Sequence, residues 1–185
     1  MDELRRQMNN RLWRDLHGRI NSMIGLRGLA WQVQVTEDRN APDSLVGLHC
    51  VTGTEQALYL RPMMEQQCLG GILRIYFGLM WSASPSADQL GSPSVSTLRA
   101  SLQTAGFKSN ENFLAWKWTA FHPRRRDFLL RYAQEPEKVL EAVEAGVRTL
   151  LIDHREAIES ANAVLKSAPR SLTSSLGRLR DELID

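Results

Sequence analysis

The spacing of apolar side chains changes several times along the chain, and each change predicts a different element. From residue 2 to 24, Leu4, Met8, Leu12, Leu16, Ile20 and Ile24 recur at every fourth position. That spacing stacks side chains along one face of a helix, with Trp13 and Met23 beside the stripe. Asp2 and Glu3 fall in the first turn, where carboxylates favour the positive end of the helix dipole, and Gly25 and Gly28 mark the stop. Residues 29–36 (LAWQVQVT) then alternate, placing Trp31, Val33 and Val35 on one face of a strand. The cluster at 37–44 (EDRNAPDS) has the composition of a turn. Further strands are predicted at 45–51 (LVGLHCV) and 57–60 (ALYL), joined across Gly53 and Thr54. Residues 72–81 (ILRIYFGLMW) are the most apolar run and predict a central strand buried on most of its surface.

Beyond it, residues 82–94 (SASPSADQLGSPS) carry the Ser, Pro and Gly of a loop. Residues 94–105 predict a helix through Val95, Leu98 and Leu102, closed by Gly106. Alternation over 113–121 (FLAWKWTAF) favours a strand with Leu114, Trp116, Trp118 and Ala120 on one side. Helical spacing returns at 126–134 and again after Pro136, whose missing donor does no harm in a first turn. The last long helix, carrying Val139, Val143, Val147, Leu150, Leu151, His154, Ile158 and Leu165, is expected to bend near Gly146 and to end at Pro169. Leu172, Leu176, Leu179 and Leu183 form a final stripe. A helix that short must dock, either on its own core or on a protein partner such as a second subunit.

The expected fold is therefore α+β: a long N-terminal helix, a mostly antiparallel sheet of about four or five strands, and a helical C-terminal half. A single domain over 1–185 is expected, with helix and sheet in 1–81, a loop at 82–94, and a mainly helical part at 95–185 that includes the strand at 113–121. Composition acts mainly by exclusion. An apolar share of 43% and a net charge of +2 rule out a disordered chain, and no apolar run reaches the roughly 18 residues of a membrane span. Two cysteines make no disulfide framework, and the basic-then-apolar start of a secretory signal is missing, so a soluble cytoplasmic protein is expected. Phosphate-binding loops, dinucleotide fingerprints, HExxH, GxSxG and CxxC are all absent.

Charge adds a sharper feature. The 23 Lys+Arg and 21 Asp+Glu nearly cancel, but they do so unevenly. Residues 96–131 hold a net +5 and residues 132–165 a net −4. The basic segment centres on HPRRR at 122–126, with Lys108, Lys117 and Arg131 around it and Trp116, Trp118 and Phe121 just upstream. Guanidinium groups fork onto phosphates and aromatic faces stack on unpaired bases. The expected function is thus that of a non-enzymatic binding protein acting through macromolecular contacts, with nucleic acid as a candidate partner. Its binding residues would be Trp116, Lys117, Trp118, Arg124, Arg125, Arg126 and Arg131. The competing use of those arginines is neutralisation by the acidic helix that follows. Arg5, Arg6, Arg11, Arg14 and Arg19 give the first helix a second basic face, offset in part by Asp2, Glu3 and Asp15, and read as its solvated side.

Two enzymatic alternatives stand beside this. Pro42-Asp43, followed 22 residues later by Glu65-Gln66-Gln67, resembles the spacing of PD-(D/E)XK nucleases. The resemblance implies a Mg²⁺-dependent nuclease or phosphodiesterase with Asp43 and Glu65 as metal ligands, Gln67 beside them, and Glu37 or Asp38 assisting. No [DE]-x-K tripeptide occurs, so the family's catalytic lysine is missing and the chain is not assigned to it. No other metal or cofactor is expected. The second alternative is a thiol enzyme using Cys50 or Cys68 with His17, His122 or His154. His49, next to Cys50, would point to the opposite face of the strand.

Overall fold

The computed structural model describes residues 3–53 and 58–166. Helix α1 (Glu3–Arg27) buries Leu12, Trp13, Leu16, Ile20 and Ile24, the expected stripe, and leaves Leu4 exposed at its first turn. It closes where the Leu29 N–H donates to the Ile24 carbonyl at 3.0 Å. Strands β1 (Gln32–Asp38), β2 (Ala41–Val51), β3 (Leu60–Leu69), β4 (Ile72–Trp81) and β5 (Phe113–Trp118) form one five-stranded sheet in the order β1-β2-β3-β4-β5. Short links join β1 to β2 and β3 to β4, whereas α2 and α3 lie between β4 and β5, and the architecture is α+β as expected. Helices α2 (Ala87–Leu90), α3 (Pro93–Thr104), α4 (Arg126–Gln134), α5 (Pro136–Ile152) and α6 (Arg155–Leu165) complete the described chain. Among the described residues, no helix is long and apolar enough to cross a membrane.

Three expectations are corrected. The turn predicted at 37–44 shrinks to Arg39 and Asn40, where the Asn40 N–H donates to Asp38 Oδ1 at 2.9 Å. Pro42 and Asp43 lie inside β2, because the β1–β2 register shifts on both sides of Glu37 and the ladder there does not need the missing donor. The strand predicted at 57–60 begins at Leu60 and runs on to Leu69 through Glu65, Gln66 and Gln67, all buried. The long C-terminal helix does not bend at Gly146. It breaks at Asp153 and His154, whose N–H groups both donate to the Thr149 carbonyl. Gly146 instead leaves room for Phe77, whose ring carbon lies 2.5 Å from where a Cβ would stand. Residues 54–57 and the leucine stripe at 172–183 lie outside the described residues.

The described chain falls into two compact units. One holds residues 3–53, 63–77 and 118–148. In it α1 packs on β1 and β2, and side chains of α1 bond to the sheet. Trp13 Nε1 donates to Gln66 Oε1 at 3.0 Å, so a buried indole and a buried amide satisfy each other. The Asn10 amide clamps β2 by accepting from the Leu45 N–H at 2.8 Å and donating to the Asp43 carbonyl at 2.7 Å. Further along the sheet, Tyr76 Oη donates to Glu65 at 3.2 Å, and Thr36 Oγ1 lies 3.0 Å from His49 Nδ1.

The other unit holds residues 58–62, 78–117 and 149–166, with α3 packed on α6. Here the Asn162 amide clamps Leu60, accepting from its N–H at 2.7 Å and donating to its carbonyl at 3.0 Å. The segment expected as a loop contains α2, started by a capping box in which Ser86 and Gln89 each bond the other's backbone N–H.

Candidate functional site

The basic segment begins where the backbone past β5 still pairs with the start of β4. The Thr119 N–H donates to the Ile75 carbonyl at 2.9 Å, and the Ile75 N–H donates to the Phe121 carbonyl at 3.1 Å. His122 Nδ1 lies 3.3 Å from the Leu73 carbonyl. The Arg125 N–H then donates to the His122 carbonyl at 3.0 Å, closing a four-residue turn with Pro123 in second place, where its fixed φ suits the bend. The turn delivers Arg124 at its tip, Arg125 as the N-cap of α4 and Arg126 as the first residue of that helix. All three are exposed, and among the described residues their side chains form no ion pair or hydrogen bond. Arg131, also exposed, lies further along α4 near Glu135, a carboxyl held below its ordinary value by Lys138 first and by Arg131 least.

Several acids of the segment that follows are engaged elsewhere. Arg19 of α1 donates to Glu144 through Nε at 3.1 Å and Nη2 at 3.0 Å, and to Glu137 at 2.5 Å. Arg148 also bonds Glu144. Lys138 pairs with Glu135, and Arg155 pairs with Glu159. Four of the segment's seven acids are thus paired with α1 or with the segment's own basic residues, and none is paired with Arg124, Arg125 or Arg126.

The aromatic residues upstream are committed to the fold. Trp116 is buried, and the Lys108 ammonium lies 5.4 Å from its ring centroid. Lys117 is exposed, but its Nζ donates to the Ala105 carbonyl at 3.1 Å and sits 5.6 Å from the Phe107 ring. Trp118 is half-buried and meets Tyr76 edge-on at 5.6 Å. Arg74 caps its ring at 5.4 Å and donates to the Thr119 carbonyl at 2.6 Å. Trp116 and Lys117 belong to the unit that holds residues 78–117, whereas Trp118 and the arginines belong to the other.

The residues of the enzymatic alternatives are not gathered together. Asp43 is exposed and faces Arg6 at 3.7 Å. Glu65 is fully buried opposite Gly47, four positions along β2 from Asp43, or on the order of 13 Å at strand spacing. Gln67 is buried on β3, while Glu37 is exposed. Among the described residues, no three His, Cys, Asp or Glu side chains lie close enough to hold a metal ion. Cys50 is buried, and burial pushes its thiol up to about 12, away from the thiolate a nucleophile needs. Cys68 is exposed. His17 Nε2 lies 3.0 Å from the Val33 carbonyl, His122 faces the Leu73 carbonyl, and His154 starts α6.

Sequence reasoning missed the β3–β4 hairpin and Arg74. Gly70 and Gly71 both adopt positive φ, 56° and 80°, which makes a two-residue turn between Leu69 and Ile72. The signal was present, since a Gly-Gly pair between apolar residues is a hairpin mark. Leu69 and Ile72 are 39% and 48% exposed, so the tip of the hairpin is apolar. Comparison of the chain with known protein families, with curated proteins and with solved structures gives no match.

Proposed function

We propose that this protein is a non-enzymatic nucleic-acid-binding protein that grips the phosphate backbone through Arg124, Arg125 and Arg126, with Arg131 adding charge along α4. The observation that carries this reading is three exposed guanidinium groups, unpaired among the described residues, at the positive end of a helix. Each cation there opposes the helix dipole by about 0.3–1 kcal/mol, and Asp127 offsets only part of that. A polyanion laid across the turn supplies the missing negative charge, and guanidinium forks match phosphate oxygens. The burial of Trp116 and the Arg74 cap on Trp118 favour backbone contact over base stacking. Binding of this kind has little sequence preference and a steep salt dependence. Two free cysteines are compatible with a cytoplasmic location.

Fluorescence anisotropy with a labelled duplex of about 20 base pairs at low salt tests the reading. The wild-type chain should bind, and Arg124→Ala/Arg125→Ala/Arg126→Ala should weaken binding at least about tenfold. No wild-type binding, or equal binding by the variant, would overturn it.

A further inference from the structure

The hairpin tip and the arginine turn are tied to each other through a contact between Leu73 and His122. Leu73 immediately follows the tip residue Ile72, and its carbonyl is met by His122, two residues before Arg124. Chain connectivity keeps the Arg124 and Ile72 Cα atoms within about 20 Å of each other, the length of roughly six base pairs. All of these residues belong to one compact unit. Two half-exposed aliphatic side chains on a tight Gly-Gly turn thus share one compact unit with three unpaired cations. The aliphatics favour a dry surface and the cations favour phosphate. A nucleic-acid duplex offers both within that span, with phosphate rows flanking a groove whose base steps accept Leu and Ile as wedges. A lipid surface would also offer both. However, two partly exposed side chains present less apolar surface than a single acyl chain, which itself holds only marginally.

We infer that the tip of the β3–β4 hairpin is an apolar wedge for the minor groove of a duplex. In this arrangement Leu69 and Ile72 partly unstack a base step while Arg124, Arg125 and Arg126 hold the phosphates alongside. The inference rests on the nucleic-acid reading above and adds to it that binding bends the duplex, because minor-groove wedges kink DNA toward the major groove.

The test uses the full chain and a duplex of about 30 base pairs carrying an energy-transfer pair on its two ends. Wild-type binding should raise transfer efficiency. Leu69→Ser/Ile72→Ser should bind about tenfold more weakly, keep the wild-type salt slope and lose the rise in transfer. Leu69→Met/Ile72→Met, which keeps apolar wedges on the same turn, should retain the bend. Binding without bending, or equal bending by the serine variant, would overturn the wedge and leave the phosphate grip standing. Absence of any duplex binding by the wild-type chain would overturn both. Attachment to vesicles of phosphatidylserine and phosphatidylcholine that depends on Leu69 and Ile72, without duplex bending, would reassign the tip to lipid and so also overturn the wedge.

Discussion

Arg125 stands where a helix ordinarily carries Ser, Thr, Asp or Asn, and its side chain makes no cap hydrogen bond. Replacing it should therefore separate stability from binding. Arg125→Asp should stabilise the fold by about 1 kcal/mol through a proper cap, raise Tm by roughly 2–4 °C, and weaken nucleic-acid binding. A thermal melt paired with the anisotropy assay checks both signs, and a variant that melts lower would contradict the assignment of Arg125 to the ligand rather than the fold. The two cysteines give a second prediction. A maleimide at pH 8 should modify Cys68 at once and Cys50 only on unfolding, since one is exposed and the other buried. Burial raises the Cys50 thiol from 9.0 to about 12 in the folded state. The folded chain therefore holds a proton that the unfolded chain releases. The stability from this group is full below pH 9 and is lost as pH rises towards about 12. Denaturant melts of wild type and Cys50→Ala across that range should converge as the pH rises. Parallel curves would contradict the prediction.

At the scale of elements, two close approaches and two amide clamps hold the strands. A Cβ on Gly47 would stand 2.5 Å from the Met64 carbonyl oxygen, and one on Gly78 would stand 2.2 Å from that of Ala115. Both obstacles are backbone, so the strands would have to part. Gly47→Ala and Gly78→Ala should each cost about 1–3 kcal/mol in denaturant unfolding. Gly53, where an added Cβ meets nothing within 4 Å among the described residues, should accept Ala within about 0.5 kcal/mol. Asn162→Ala should cost about 1–3 kcal/mol, because it strips both backbone partners from Leu60. How much of this was legible in the sequence follows from how local each cause is. The stripe of α1, the apolar run of β4 and the helical spacing of α3 to α5 are decided within a few residues and are legible, whereas the strand expected at 113–121 ends at Trp118 with Phe113 to Trp116 buried in succession. Strand β3 is not legible, because Glu65, Gln66 and Gln67 break any alternation. Their polarity is offset by partners distant in sequence, such as Trp13 on Gln66. The break at Asp153 rather than Gly146 was hidden for a similar reason, since the space that Gly146 leaves belongs to Phe77 on another element.

Over the whole chain, the near-neutral total of +2 conceals a division of labour among charges. The sequence posed the question of whether the arginines at 124–126 face the acidic segment after them, and only the geometry answers it. Arg19, 118 residues before Glu137, reaches across to that segment, and the arginine turn makes no ion pair among the described residues. Arg19→Ala should cost about 1–2 kcal/mol in stability, because Glu144 is buried and keeps only Arg148. It should leave nucleic-acid binding close to wild type.

The most direct measurement is the salt dependence of duplex binding between about 50 and 200 mM monovalent salt. Three phosphate contacts predict a slope of about −2.7 in log K against log salt, a loss of about 40-fold over that range, with a much shallower slope for Arg124→Ala/Arg125→Ala/Arg126→Ala. A slope unchanged by removing the three arginines, or no binding at the lowest salt, would contradict the account.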